Sequence, residues 1–201
     1  MERTAEYKGS LTREQFLFYE MRTVALLVVQ EISRDEIVKK IKEENLFQFP
    51  TERMTESIAG TCFKRLDALE SETLVNSLAN DSPDAAKQIN LYSMMKYNRL
   101  VWDFMVTVIG EKYRTQEYEF APKDLNLFFF RLQEQNDKVA SWSDSTIKKI
   151  KQVLLRSLVE CGYLDTTKSE QLNMVAIEPV LEDEIRAAGD VAALPAFNCF
   201  R

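Results

Sequence analysis

Ser143 to Leu164 reads S-D-S-T-I-K-K-I-K-Q-V-L-L-R-S-L-V-E-C-G-Y-L, and the fold of the second half of the chain turns on it. Ser143, Asp144 and Ser145 each carry a side-chain oxygen able to accept from the free N–H groups that open a helix, and Gly162 supplies the stop. With Ile147 at zero and about 100° per residue, Ile150, Val153, Leu154, Leu158 and Cys161 fall on one side of that helix. Ser145, Lys148, Lys149, Gln152 and Arg156 fall on the other. From Ser145 to Ser157 there are four basic residues and no acid. Such a face suits a recognition helix, because Lys and Arg neutralise phosphates while Ser and Gln reach base edges in a major groove. A solvated basic face on an ordinary helix has the same composition.

The neighbours favour the first reading. Upstream, 122–135 has Leu125, Phe128, Phe129 and Leu132 on one helical face, and 138–142 leaves room for only a short second helix. Downstream, 162–164 and 174–177 read as two short strands around a polar loop carrying Lys168. Helix, short helix, turn, basic helix and small hairpin is the order of a winged helix-turn-helix. The expected contacts to double-stranded DNA are Ser143, Ser145, Lys148, Lys149, Gln152, Arg156 and, on the wing, Lys168, with low sequence specificity because few of them can read bases.

The rest of the 201 residues reads as helix. With only five Gly and five Pro, long helices are favoured over many tight turns. Thr12 and Gln15 have capping-box spacing and predict a largely buried helix to about Glu31, with Phe16, Leu17, Tyr19, Val24, Leu27 and Val28 in the core. Ser33 and Glu36 form a second such box. Pro50 ends the helix that follows, and a third runs from Thr51 to Leu69. Segment 33–69 therefore has a helix-turn-helix outline, but 31–72 holds ten acids against seven bases, which favours a structural hairpin. Ser82-Pro83 opens another helix. The apolar run from Leu91 to Ile109 is read as the core of a helical bundle, with Asn90, Lys96, Asn98, Arg99 and Asp103 as caps, turns and surface. The fold class is thus mainly α: a bundle domain over 1–115, then a winged-helix-like domain over 121–201 with a small β-hairpin. Of Phe128, Phe129 and Phe130, one must face away from its own core. The tail from Leu194 to Phe200 is too apolar for water and is expected to dock back on the body.

Several function classes drop out. A net charge of −6 and a pI near 5.0 exclude a general polyanion binder, so any nucleic-acid contact has to be local. The absence of His removes His-based triads and zinc motifs, and no glycine-rich phosphate loop occurs. Cys62, Cys161 and Cys199 are spaced for neither a disulfide framework nor a metal site. No enzyme, cofactor, metal or small-molecule substrate is expected. The N-terminus has no secretory pattern and the longest apolar run is far below a membrane span, so a cytoplasmic location without membrane contact is expected.

E-E-N-L-F-Q-F-P-T-E at 43–52, K-Q-I-N-L-Y-S-M-M-K-Y-N-R-L-V-W-D-F-M at 87–105, S-W-S-D-S-T-I-K-K-I-K-Q-V-L at 141–154 and L-P-A-F-N-C-F at 194–200 resemble the BrxA family of bacteriophage-exclusion (BREX) defence systems. The resemblance implies an all-helical cytoplasmic protein that binds double-stranded DNA and serves anti-phage defence without catalysis of its own. It supplies no contact residues; those come from the helical wheel. The alternative is a protein-docking module that joins larger BREX components without touching DNA. RNA binding comes after that, since no strand carries a platform of aromatic and basic side chains.

Overall fold

Most helices in this protein begin where a short polar side chain can close a free N–H. The computed structural model describes residues 6–200, which hold eleven α-helices and no β-strand. They form two compact units, 16–97 and 6–15 together with 98–200.

The unit 16–97 contains α1 (Phe18–Val29), α2 (Arg34–Glu43), α3 (Glu52–Leu69), α4 (Glu72–Asn80) and α5 (Pro83–Tyr97). Ser33 and Glu36 make both bonds of the expected capping box, and Thr51 and Ser71 cap the next two helices. The Ala85 N–H donates to Ser82 Oγ at 3.2 Å, ahead of Pro83 in the first turn. Met21, Val24, Ile37, Ile41, Cys62, Leu78 and Ile89 are buried at the centre.

The start of α1 corrects the sequence reading. Thr12 does not cap a helix; its hydroxyl donates to the Gly9 carbonyl at 3.1 Å inside a 3-10 turn, Gly9–Thr12. The helix begins instead at Phe18, after Leu17 in a left-handed conformation with φ 52°. The cause lies elsewhere in the chain. The Phe16 carbonyl turns out of the helix to accept from Asn90 Nδ2 at 2.7 Å and Arg65 Nη1 at 3.2 Å. Both donors are fully buried, and a buried donor without an acceptor costs about 1–3 kcal/mol. Tyr19, expected in the core, is exposed, as are Leu26 and Val29, because α1 buries the face of Met21, Val24, Ala25 and Leu27.

In the other unit, Asn98 interrupts the apolar run with extended backbone, and its side chain accepts from the Leu100 N–H at 3.0 Å. From there α6 (Arg99–Phe104) passes through a π turn at Met105–Ile109 into α7 (Gly110–Thr115). Residues 99–115 thus sit in this second unit, whereas the sequence reading placed them with the first. Next come α8 (Pro122–Gln135), α9 (Asp137–Ala140), α10 (Asp144–Glu160) and α11 (Pro179–Ala187). Phe104 meets Phe128 edge-on at 5.5 Å, and Phe128 and Phe129 are buried while Phe130 is 57% exposed.

The expected hairpin does not form among the described residues. Tyr163 and Leu164 are both buried, so they do not alternate as a half-exposed strand would. One backbone bond, Asn173 N–H to Tyr163 O at 2.9 Å, ties the first segment to the residue before the second, and the Asn173 side-chain amide donates to Gly162 O and Asp165 Oδ1. Residues 170–172 turn the other way. A single antiparallel bridge joins Glu119 to Gln171, with the Phe120 N–H donating to Glu170 O and the Leu172 N–H to Tyr118 O.

The apolar tail docks as expected. Residues 191–197 form a 3-10 helix in which Ala193, Leu194, Ala196 and Phe197 are buried. Tyr163 Oη donates to Ala196 O at 2.9 Å, and Asn198 Nδ2 to Val175 O at 3.1 Å. Gly110 permits the approach: a Cβ there would stand 3.1 Å from the Ala196 nitrogen. Among the described residues no helix is long and apolar enough to cross a membrane.

Gly110→Val should therefore lower stability by about 1–3 kcal/mol, as overpacking does, measured as a lower urea midpoint with unchanged slope. A second test concerns pH. Tyr7 Oη donates to Asp103 Oδ2 at 2.6 Å, and burial followed by the Asp103 carboxylate pushes the phenol up to about 12. A raised folded pKa favours the protonated form, so this contribution is complete below about pH 10 and lost as pH rises through about 12. Tyr7→Phe should lose stability less steeply than the parent over that window in thermal melts, the other tyrosines acting equally in both.

Candidate nucleic-acid interface

Three consecutive helices with two short turns carry the candidate surface. At the start of α8, Asp124 accepts from the Ala121 N–H at 2.7 Å, and Pro122 fills the first helical position. Asn136 ends α8 and caps α9, accepting from the Val139 N–H at 3.1 Å. Ser143 then caps α10, with its hydroxyl accepting from the Thr146 N–H at 3.2 Å. Helix, short helix and long helix therefore follow at the expected positions.

Ile147, Ile150, Val153, Leu154, Ser157 and Leu158 are the buried residues of α10. Ser143, Ser145, Lys148, Lys149, Gln152 and Arg156 are all exposed. Among the described residues Lys148, Lys149 and Arg156 make no ion pair. Neighbouring bases are engaged by contrast: Lys138 pairs with Glu6 at 2.6 Å and Lys123 with Glu119 at 2.8 Å.

Lys168 lies in a tight polar turn in place of a wing. Its N–H donates to Thr166 Oγ1 at 3.2 Å, and the Thr166 N–H to Ser169 Oγ at 3.0 Å. It lines a cleft of about 360 Å³ with Asn126, Lys151, Leu155, Thr167 and Ser169. This cleft brings Lys168 to one flank of α10.

Lys151 is the basic residue the sequence reading left out of the site. Its ammonium donates to Asn126 Oδ1 at 2.7 Å and sits 5.3 Å from the centre of the Phe129 ring, and burial holds its pKa below the usual lysine value. Its position on the wheel, beside Ile147 and Leu158, was the available signal. On the opposite flank Gly9 lies against Trp142 and Thr146; a Cβ there would be 3.7 Å from each. No local pattern could reveal a contact across so much chain.

Chemically, the arrangement offers cations and hydroxyls on a convex helix face. Among the described residues no group of three or more potential metal ligands occurs. Ser143→Ala should cost about 1 kcal/mol, the usual loss for an N-cap, seen in urea denaturation.

Comparison with known proteins agrees with this architecture. A solved structure of an uncharacterized protein from Magnetospirillum magneticum superposes with a TM-score of 0.80, covering 96% of this chain and 98% of that one at 21% identity. The BREX protein BrxA of Bacillus cereus (strain H3081.97) is 37% identical over 188 residues, 92% of each chain. The BREX protein BrxA of Escherichia coli O9:H4 (strain HS) is 24% identical over 90% of this chain and 84% of that one. The BrxA family model matches residues 5–189, and with the Bacillus relative it shows that the chain belongs to the BrxA family.

Proposed function

We propose that this protein is a component of BREX anti-phage defence and acts there as a non-enzymatic accessory protein that binds double-stranded DNA. The name of the relatives, BREX protein BrxA, supports the first part. The exposed face of α10, with Lys148, Lys149 and Arg156 outside any ion pair among the described residues, carries the second.

In this reading the N-terminal half of α10 enters a major groove, in the manner of a helix-turn-helix. Lys148, Lys149 and Arg156 hold phosphates, and Ser145 and Gln152 reach base edges, with Ser143 at the entry. Lys168, in its turn, takes the flanking backbone in the role a wing tip would have. With about four or five phosphate contacts, the log–log salt slope is roughly −4, and two polar base readers give low sequence specificity. Nothing in the site calls for a cofactor, and the site of action is the cytoplasm.

A second reading, a docking module for larger BREX components, draws on the exposed Leu127 and Phe130 of α8, which leave apolar surface in water.

Fluorescence anisotropy of a labelled duplex decides between them. The parent protein should bind at about 50 mM salt and weaken by at least about a hundredfold at about 200 mM. Lys148→Glu/Lys149→Glu should lose binding while circular dichroism stays unchanged. Equal binding by both proteins would move the contact away from α10, and no binding by either would leave the docking reading in its place.

A further inference from the structure

The unit 16–97 carries a groove of about 580 Å³ with a different chemistry. Its floor is apolar: Val28 and Val29 from the end of α1, Leu66 from α3 and Val75 from α4. Val29 is exposed, and Leu26 and Tyr19 continue apolar surface along α1. Its rim is acidic. Glu31, Asp67, Glu70 and Glu72 line it, and no basic residue does.

Two of the four acids are partly balanced from outside the groove, Asp67 by Arg34 and Glu70 by Lys96 at 3.3 Å. Glu31 and Glu72 make no ion pair among the described residues. An apolar floor leaves water poorly bonded, and the unbalanced carboxylates of Glu31 and Glu72 leave a negative potential that a cationic partner relieves. DNA is repelled by the same field.

We infer that this groove is a docking site for a basic segment of another protein, one that inserts an aliphatic side chain between Lys or Arg residues. Charge complementarity selects that occupant. A second copy of this chain fits less well, because its unpaired basic face on α10 presents Ser145, Lys148, Lys149, Gln152 and Arg156 with no exposed aliphatic residue among them. The site lies wholly within 16–97 and does not depend on the DNA reading of α10.

The test is a selection of random peptides of roughly a dozen residues on the immobilised full-length protein, followed by anisotropy of the enriched peptides. Enriched peptides should carry an aliphatic residue flanked by Lys or Arg. Their affinity should fall at least about tenfold against Glu31→Lys/Glu72→Lys, since like charges meet across the rim, and should also weaken against Val29→Ser. Lys148→Glu/Lys149→Glu should bind them as the parent does, which separates this site from the α10 face. No enrichment over the bare support, equal affinity for Glu31→Lys/Glu72→Lys, or loss of binding in the α10 variant would overturn the inference. Circular dichroism of each variant guards against unfolding.

Discussion

The rotation of α10 about its own axis is the constraint on which the candidate surface depends. Ile147, Ile150, Val153, Leu154 and Leu158 are buried together, and each such side chain contributes about 1.5–3 kcal/mol when removed from water. An exposed ion pair pulling the helix round contributes at most about 1 kcal/mol. The apolar side therefore fixes the rotation, and Lys148, Lys149 and Arg156 have no direction left but solvent. Lys151, one residue beyond Ile150, is carried to the edge of the buried face. There its ammonium gives up water and takes Asn126 and the Phe129 ring instead.

Much of this was legible because it is local. Ser33 with Glu36, Ser82 with Pro83, and Ser143 each mark a helix start through a bond spanning three residues. The long helix 122–135, the short one after it and the capped basic helix could be placed from side-chain period and caps alone. So could the outward turn of one phenylalanine in 128–130 and the docking of the tail.

What was not legible depends on partners distant in sequence. Nothing near Phe16 announces that Arg65 and Asn90 will claim its carbonyl and delay α1 to Phe18. The hairpin failed for a related reason: a ladder needs both segments free to pair, whereas Tyr163 and Leu164 are drawn inward and the Val175 carbonyl of 174–177 accepts from Asn198. Of the site residues, the helical ones lie where the wheel put them on α10, and Lys168 reaches the flank of that helix through a turn closed by Thr166 and Ser169.

A net charge of −6 does not decide what a surface meets, because at physiological salt a charge is felt over about 8 Å. Several bases elsewhere are matched to acids: Lys42 to Glu52 and Glu56, Lys112 to Asp124, Arg186 to Glu182. Along α10 Lys148, Lys149 and Arg156 make no ion pair among the described residues, although Asp144 stands one turn before Lys148 and Glu160 one turn after Arg156. Like charges left on one helix face destabilise it slightly, by tenths of a kcal/mol per close pair. A polyanion laid along that face would reverse the sign of each of those terms. On the groove of the other unit the imbalance has the opposite sign, and a polycation would do the same there. Two surfaces of opposite sign, one on each unit, therefore hold electrostatic energy that a partner of the other sign can lower.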